Sequence, residues 1–191
     1  VFLPMLDMCS HLLSQATTEY RSDAEIVLTA IKGAPSSLKN ADSVLATDRK
    51  FILQAVACRG RSLKFAREDM KADIEIVMTA VAENGFALFE AAECFSADRG
   101  VVHTAISNRG VCLRFASKEL KADSELVLEA VTQRGKALKH ASESLKADVH
   151  IALTALANGA PLLQVAEELQ IEFQQKFSFA VSMFGSDLTL Q

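Results

Sequence analysis

Residues 120–148 read LKADSELVLEAVTQRGKALKHASESLKAD and close on the Lys-Ala-Asp triplet that stands near their start. Stepping by 25 residues from Asp123 in both directions lands on Asp23, Asp48, Asp73, Asp98 and Asp148, so six of six register positions are aspartate without a gap. A fixed period of this length marks stacked repeats, in which each unit buries its apolar face against its neighbours.

The remaining columns define the unit. Three residues after each Asp stand Ile26, Phe51, Ile76, Val101, Leu126 and Ile151, and seven after it Ala30, Ala55, Ala80, Ala105, Ala130 and Ala155. Fifteen after it come Leu38, Leu63, Leu88, Leu113, Leu138 and Leu163, then at eighteen Ala41, Ala66, Ala91, Ala116, Ala141 and Ala166. Gaps of three, four and five between apolar columns are helical. Each unit therefore parses as a helix pair. The Asp is the N-cap of helix A, its carboxylate accepting from the orphan backbone N–H groups of the first turn. Helix A runs about ten residues, as from Ser124 to Arg134, and is expected to close at Gly60, Gly85, Gly110 or Gly135 in the left-handed conformation. A shorter helix B carries the Leu and Ala columns, and a last turn carries Leu45, Met70, Phe95, Leu120 or Leu145. The small Ala columns predict close approach of helix backbones.

The expected fold is all-α: a right-handed α-solenoid of six helix pairs over residues 23–170, about 50–60 Å long with one concave surface. Residues 1–22 read as a degenerate capping unit, with Leu13, Ala16 and Tyr20 on helix-B columns and Pro4 inside what would be helix A. In the sixth unit Gly159 comes one place early and Leu169 one residue ahead of its column. Residues 171–191 read as a linker and a β-hairpin. Phe177, Phe179, Val181 and Met183 alternate with small residues, then come Gly185-Ser186-Asp187 and the alternating Leu188 and Leu190. A lone hairpin is marginal in water, so the reading calls for further chain or a covering surface.

Bulk properties narrow the function. A net charge of −4 and a pI near 5.6 argue against a general polyanion binder. No run approaches the eighteen or so apolar residues that span a bilayer. Cys9, Cys58, Cys94 and Cys112 form no C-x-x-C pair, and the four histidines form no H-x-x-x-H pair, so reduced, individually packed thiols are expected and no metal site. There is no nucleophile elbow, phosphate loop or paired-carboxylate motif. The expectation is no enzyme activity and no cofactor.

One surface pattern carries a functional reading. Arg59, Arg109 and Arg134 share a register column with Asn84; Lys39, Lys64, Arg114 and Lys139 share another. Stacking would line them into a basic ridge, either a docking stripe for an acidic protein partner or a solvated face that keeps the array soluble. Aromatic stacking positions and a strongly basic domain are both missing from this reading of the ridge, which argues against nucleic acid. The Thr29, Thr79, Thr104 and Thr154 ladder reads as back-bonding to helix carbonyls, and His103, in place of an apolar residue, as a satisfied, partly buried histidine.

The unit D-x-E-x-V-x-x-A-V-x-x-x-G-x-x-L-x-x-A-S-x-x-L-K, best seen over residues 123–147, resembles the helical-repeat family catalogued as domain of unknown function four-one-one-six. That family is abundant in dinoflagellate, algal and protist proteins and in some intracellular bacteria. Unit 1 departs from its pattern with Pro35 in place of glycine, and unit 4 with His103. The resemblance implies no catalytic residues. The terminal FSFAVSMFGSDLTLQ resembles the first hairpin of a ubiquitin-like β-grasp domain. The leading functional expectation is a non-enzymatic protein-binding or scaffold module that docks on a larger assembly. The alternatives are a structural or assembly subunit of a large organellar complex, such as an algal photosystem, and the regulatory repeat region of a longer enzyme. Val1 in place of Met fits either a removed N-terminal segment or a start inside a longer chain. The compartment expected is the cytoplasm, or a plastid or other organelle after removal of a transit segment.

Overall fold

The computed structural model of the chain describes His11 and residues 13–184, the last eight of these in backbone only. Six helices open the repeats: α1 (Ala24–Gly33), α2 (Arg49–Cys58), α3 (Ile74–Glu83), α4 (Arg99–Asn108), α5 (Ser124–Gln133) and α6 (Val149–Ala157). Each starts where the Asp carboxylate folds back on the first turn: Asp23, Asp73, Asp98 and Asp123 each accept from two backbone N–H groups. Asp48 accepts from Lys50 and Asp148 from Ile151. Such a cap is worth about 1 kcal/mol per helix.

The second element of each unit is tighter than an α-helix. Pro35–Asn40, Gly60–Phe65, Gly85–Glu90, Gly110–Phe115 and Gly135–His140 are 3₁₀ turns. Their i→i−3 bonds include Ser62 N–H to Arg59 O at 2.8 Å and Ala66 N–H to Leu63 O at 3.1 Å. A short third turn, such as Glu68–Lys71 or Glu143–Lys146, leads to the next Asp.

The units pack in two layers. Helix packs on helix from α1 through α6, the 3₁₀ turns pack on one another in the same order, and each of α3 to α5 also contacts the 3₁₀ turn of the preceding unit. Phe51, Ile76, Val101, Leu126 and Ile151 are buried between helices, as are Val27, Ile52, Val77, Val102, Val127 and Ala152 one position on; Ile26, on the first helix, is exposed. The chain thus buries one continuous core along the stack.

The glycine column has a different cause from the one expected. Gly60, Gly85, Gly110 and Gly135 are not left-handed; Gly159, at φ +84°, is the only positive-φ residue among those described. Each helix from α1 to α5 ends instead in an extended residue. The glycine that follows α2, α3, α4 or α5 lies against the next helix. A Cβ on Gly60 would stand 2.2 Å from Ala80 O, on Gly85 2.6 Å from Ala105 O, on Gly110 2.5 Å from Ala130 O and on Gly135 2.0 Å from Ala155 O. The glycine and alanine columns are two sides of one contact. The same N–H groups are bonded across it: Gly60 to Glu83 Oε2, Gly85 to Asn108 Oδ1, Gly110 to Gln133 Oε1 and Gly135 to Asn158 O. In return Asn108 donates to Ala82 O and Arg59 to Lys32 O, so carbonyls left open at one helix end are satisfied by the next unit.

A second, longer period runs through the stack. Units 2 and 4 begin Asp-Arg, and units 3 and 5 place Glu two residues after the Asp. Arg49 bridges to Asp73 at 2.7 Å and Glu75 at 2.6 Å; Arg99 bridges to Asp123 at 2.9 Å and Glu125 at 2.6 Å. Neighbouring units are therefore not equivalent, and the interfaces alternate in chemistry.

The early Gly159 of the sixth unit is where α6 ends, in a Schellman-type turn with Ala160 N–H to Ala155 O and Gly159 N–H to Leu156 O. Three expectations are corrected, the first being the place of Leu163 in the Leu column. Leu163 is 85% exposed, while Leu162 packs against the core and Val165 lies within it. The hairpin is replaced over its first strand, because residues 177–184 complete helix α7 (Glu167–Phe184) and no strand occurs among the described residues. Its Phe-x-Phe alternation had the strand period, yet the segment continues a helix already begun at Glu167 with no Gly or Pro to stop it. His103 is exposed and pairs with Glu129 at 3.2 Å instead of being partly buried. The second strand at 188–190, Gly185-Ser186-Asp187, and Val1, Pro4 and Cys9 all lie outside the described residues.

Candidate functional site

The two ends of each helix meet different fates. At the capping end the arginines are neutralised by the Arg49 and Arg99 triads. At the other end, around the 3₁₀ layer, three cations lie over phenylalanine rings. Lys39 Nζ sits 4.8 Å from the centroid of Phe65, Arg109 5.5 Å from Phe86 and Arg114 4.7 Å from Phe115. The rings also touch one another: Phe86 and Phe115 meet edge-to-face at 6.1 Å, and Phe89 lies tilted on Phe115 at 5.3 Å. A groove of about 430 Å³ runs across units 1 to 4 here, with Phe65, Phe86, Phe89 and Phe115 on its walls and Arg61, Lys64 and Arg114 at its rim. Phe89 is 66% exposed. The one acidic side chain lining the groove, Glu90, makes a long 3.7 Å contact with Lys64. Among the described residues, Lys39, Arg61, Arg109 and Arg114 have no ion-pair partner.

The ridge residues separate accordingly. Lys64 and Arg114 line this groove and Lys39 borders it on Phe65. Arg109 and Arg134 share a smaller cleft of about 200 Å³ with Asn108 and Gln133. Arg59 is committed to Lys32 O through two N–H groups, at 3.0 and 2.8 Å. Lys139 is exposed beside His140. The reading that aromatic positions are missing from the ridge is corrected: four phenylalanines stand in it. The signal was present, since Phe89 occupies the column that carries Lys or Arg in units 1, 2, 4 and 5, and Phe65 and Phe115 share the next column.

Other candidates resolve into structure. Thr79, Thr104 and Thr154 each donate to the carbonyl four residues back, at 2.7, 2.9 and 2.8 Å. Burial pushes the Cys112 thiol up to about 11, against the pull of Arg109 and Arg114. His140 is held down to about 4 by burial first, then by Lys139, Lys121, Arg114 and Lys146, so it is neutral near pH 7. Among the described residues no group of three or more His, Cys, Asp and Glu side chains could hold a metal ion, and no helix is long and apolar enough to cross a membrane.

Comparison with curated proteins and with solved structures found no match. A family model matches three times, over residues 48–95, 98–146 and 123–170, more than half of the chain. The first two matches each begin on the Asp of an Asp-Arg unit and run through the Glu-bearing unit that follows, which is the paired period seen in the ion triads. The chain belongs to the family described as Domain of unknown function (DUF4116).

Proposed function

We propose that the chain is a non-enzymatic, protein-binding scaffold. Its units wind as a right-handed solenoid, and the layer of 3₁₀ turns is the surface that holds a partner. The observation that carries this reading is the groove between Phe65, Phe86, Phe89 and Phe115 with a cationic rim on which only Lys64 has a carboxylate near it, Glu90 at 3.7 Å. An exposed ring, Phe89, in an apolar groove beside fixed charge is the composition of an interaction surface rather than of a merely solvated face. At the capping end, by contrast, Arg49 and Arg99 are engaged in holding units together.

The test is cross-linking mass spectrometry on complexes recovered with the intact chain, compared with Phe89→Asp and Arg114→Glu. Lys50→Glu applies the same change of charge as Arg114→Glu at the capping end. Partner cross-links concentrated around the groove, lost in the first two variants and kept in the third, support the proposal. Partners retained equally by all three variants overturn it.

A further inference from the structure

We infer that the groove takes a short acidic peptide segment carrying one bulky apolar anchor, the anchor entering beside Phe89 while its carboxylates meet Arg61, Lys64 and Arg114. This rests on the protein-binding reading above and names the ligand class for it.

The dimensions and composition set the anchor. A cavity of about 430 Å³ lined by four rings accommodates one large side chain and its neighbours, not a whole helix face. Phe89 is the natural wall for it, because it is exposed over two thirds of its surface and supported from behind by Phe115. An aromatic or long aliphatic anchor gains burial there, and an aromatic one also gains an edge contact.

Charge sets the flanks. Arg61, Lys64 and Arg114 share the rim, and only Lys64 has a carboxylate near it, at 3.7 Å. Arg114 is held over Phe115, so part of its side-chain freedom is already lost before a ligand arrives. In a chain of net charge −4 a cationic patch is local, which favours a short acidic segment over an extended polyanion.

Single-stranded nucleic acid is the competing class, since rings and cations together are its usual platform. The arrangement disfavours it. Phe65, Phe86 and Phe115 each already carry a cation, from Lys39, Arg109 and Arg114, so a row of open ring faces for successive bases does not exist. Phe89 alone offers an open face, which suits a single anchor.

The experiment uses the full chain and fluorescence anisotropy with four labelled probes. One is a peptide of glutamates flanking a central Phe-Leu pair. The second replaces that pair by Ser-Ser, the third replaces the glutamates by lysines, and the fourth is an oligodeoxythymidylate of equal charge to the first. The expected result is that the first binds at low salt at least about tenfold more tightly than the other three, and weakens as salt rises. Phe89→Asp and Arg114→Glu should each weaken it about tenfold or more, while Phe89→Leu and Lys50→Glu retain it; circular dichroism confirms that each variant is folded. Equal binding of all peptides, tighter binding of the oligonucleotide, or indifference to Phe89→Asp overturns the assignment. If no peptide binds while cross-linked partners are still lost in the groove variants, the ligand class is wrong and the protein-binding reading survives.

Discussion

Replacing Gly110 by alanine tests the central packing statement of the fold. The added Cβ would lie 2.5 Å from Ala130 O, 3.2 Å from Ala130 C and 3.3 Å from its Cα. All three are backbone atoms of α5, so no side-chain rotation relieves the clash. Ordinary contact would require the units to separate by about 1 Å at this point. Overpacking of this kind costs about 1–3 kcal/mol. Separation also stretches the bond from Gly110 N–H to Gln133 Oε1, now 2.9 Å, worth about 1 kcal/mol. Against this, alanine restricts the unfolded chain and returns about 0.4–1 kcal/mol. The net expectation is a loss of about 2 kcal/mol. With a urea slope near 2 kcal/mol/M, the denaturation midpoint followed by far-UV circular dichroism should fall by about 1 M.

Two companions make that result interpretable. Gly110→Asn should fall at least as far, because asparagine tolerates left-handed backbone but not lost space. Gly100→Ala should stay within about 1 kcal/mol of the parent: Gly100 is in the first turn of α4, its Cβ would meet only Asp98 Oδ1 at 3.3 Å, and alanine is the better helix former. A midpoint unchanged in Gly110→Ala, or Gly110→Asn more stable than Gly110→Ala, would refute the close-approach account and return the column to backbone conformation.

Further outcomes follow from charge and burial. The bonds from Arg49 hold the Asp73 carboxyl below its usual value of 3.8; at Asp123 burial pulls upward, but the bonds from Arg99 and the Leu126 N–H outweigh it. Folded values below the unfolded ones mean stability present above about pH 4 and lost as pH falls through the folded values, so Arg49→Ala with Arg99→Ala should flatten the acid limb of a pH-dependent melting series. His140, neutral in the fold down to about 4 against an ordinary 6.5, makes stability fall as pH drops from about 6.5 to about 4. After allowance for its partial solvation that slope is worth about 1 kcal/mol, and His140→Gln should remove it from urea midpoints measured across the window. Cys94 is exposed and Cys112 buried with a raised thiol, so iodoacetamide at pH 7.5, read by peptide mass spectrometry, should label Cys94 in the native chain and Cys112 only after denaturant is added.

The fold was legible because its determinants repeat. Asp23 through Asp148 recur, and so does the Leu column through Leu138, since each does the same task in every unit. What misled was physics that a single strand of text does not display. Gly110 looks like a helix-end glycine until Ala130 is placed against it, and a 25-residue spacing alone cannot say which neighbour a residue touches. Glu83, Asn108 and Gln133 form no visible column for a related reason. They are three different residue types serving one acceptor role for Gly60, Gly85 and Gly110, so identity in the column was absent while function in the column was not. Phe177, Phe179 and Val181 gave a strand period that the helix begun at Glu167 overrode.

The candidate site obeys the opposite logic, and this explains why the sequence pattern pointed near it but not to it. Columns that repeat are occupied with stacking: Arg59, in the ridge column, proved to bond Lys32 O in the preceding unit. The groove draws its cations Lys64 and Arg114 from a repeating column, but its most exposed ring stands where that column breaks. Phe89 breaks the basic column, Phe86 stands where other units have Ser36, Arg61, Val111 and Lys136, and both belong to unit 3. The paired period adds Phe65 and Phe115 from the two Asp-Arg units on either side, bringing aromatic residues of units 2 and 4 to flank those of unit 3. One groove thus arises from a repeat without being repeated. The repeating columns describe how the units hold each other, and the departures at Phe86 and Phe89 make the groove of unit 3 unlike the surface of the other units.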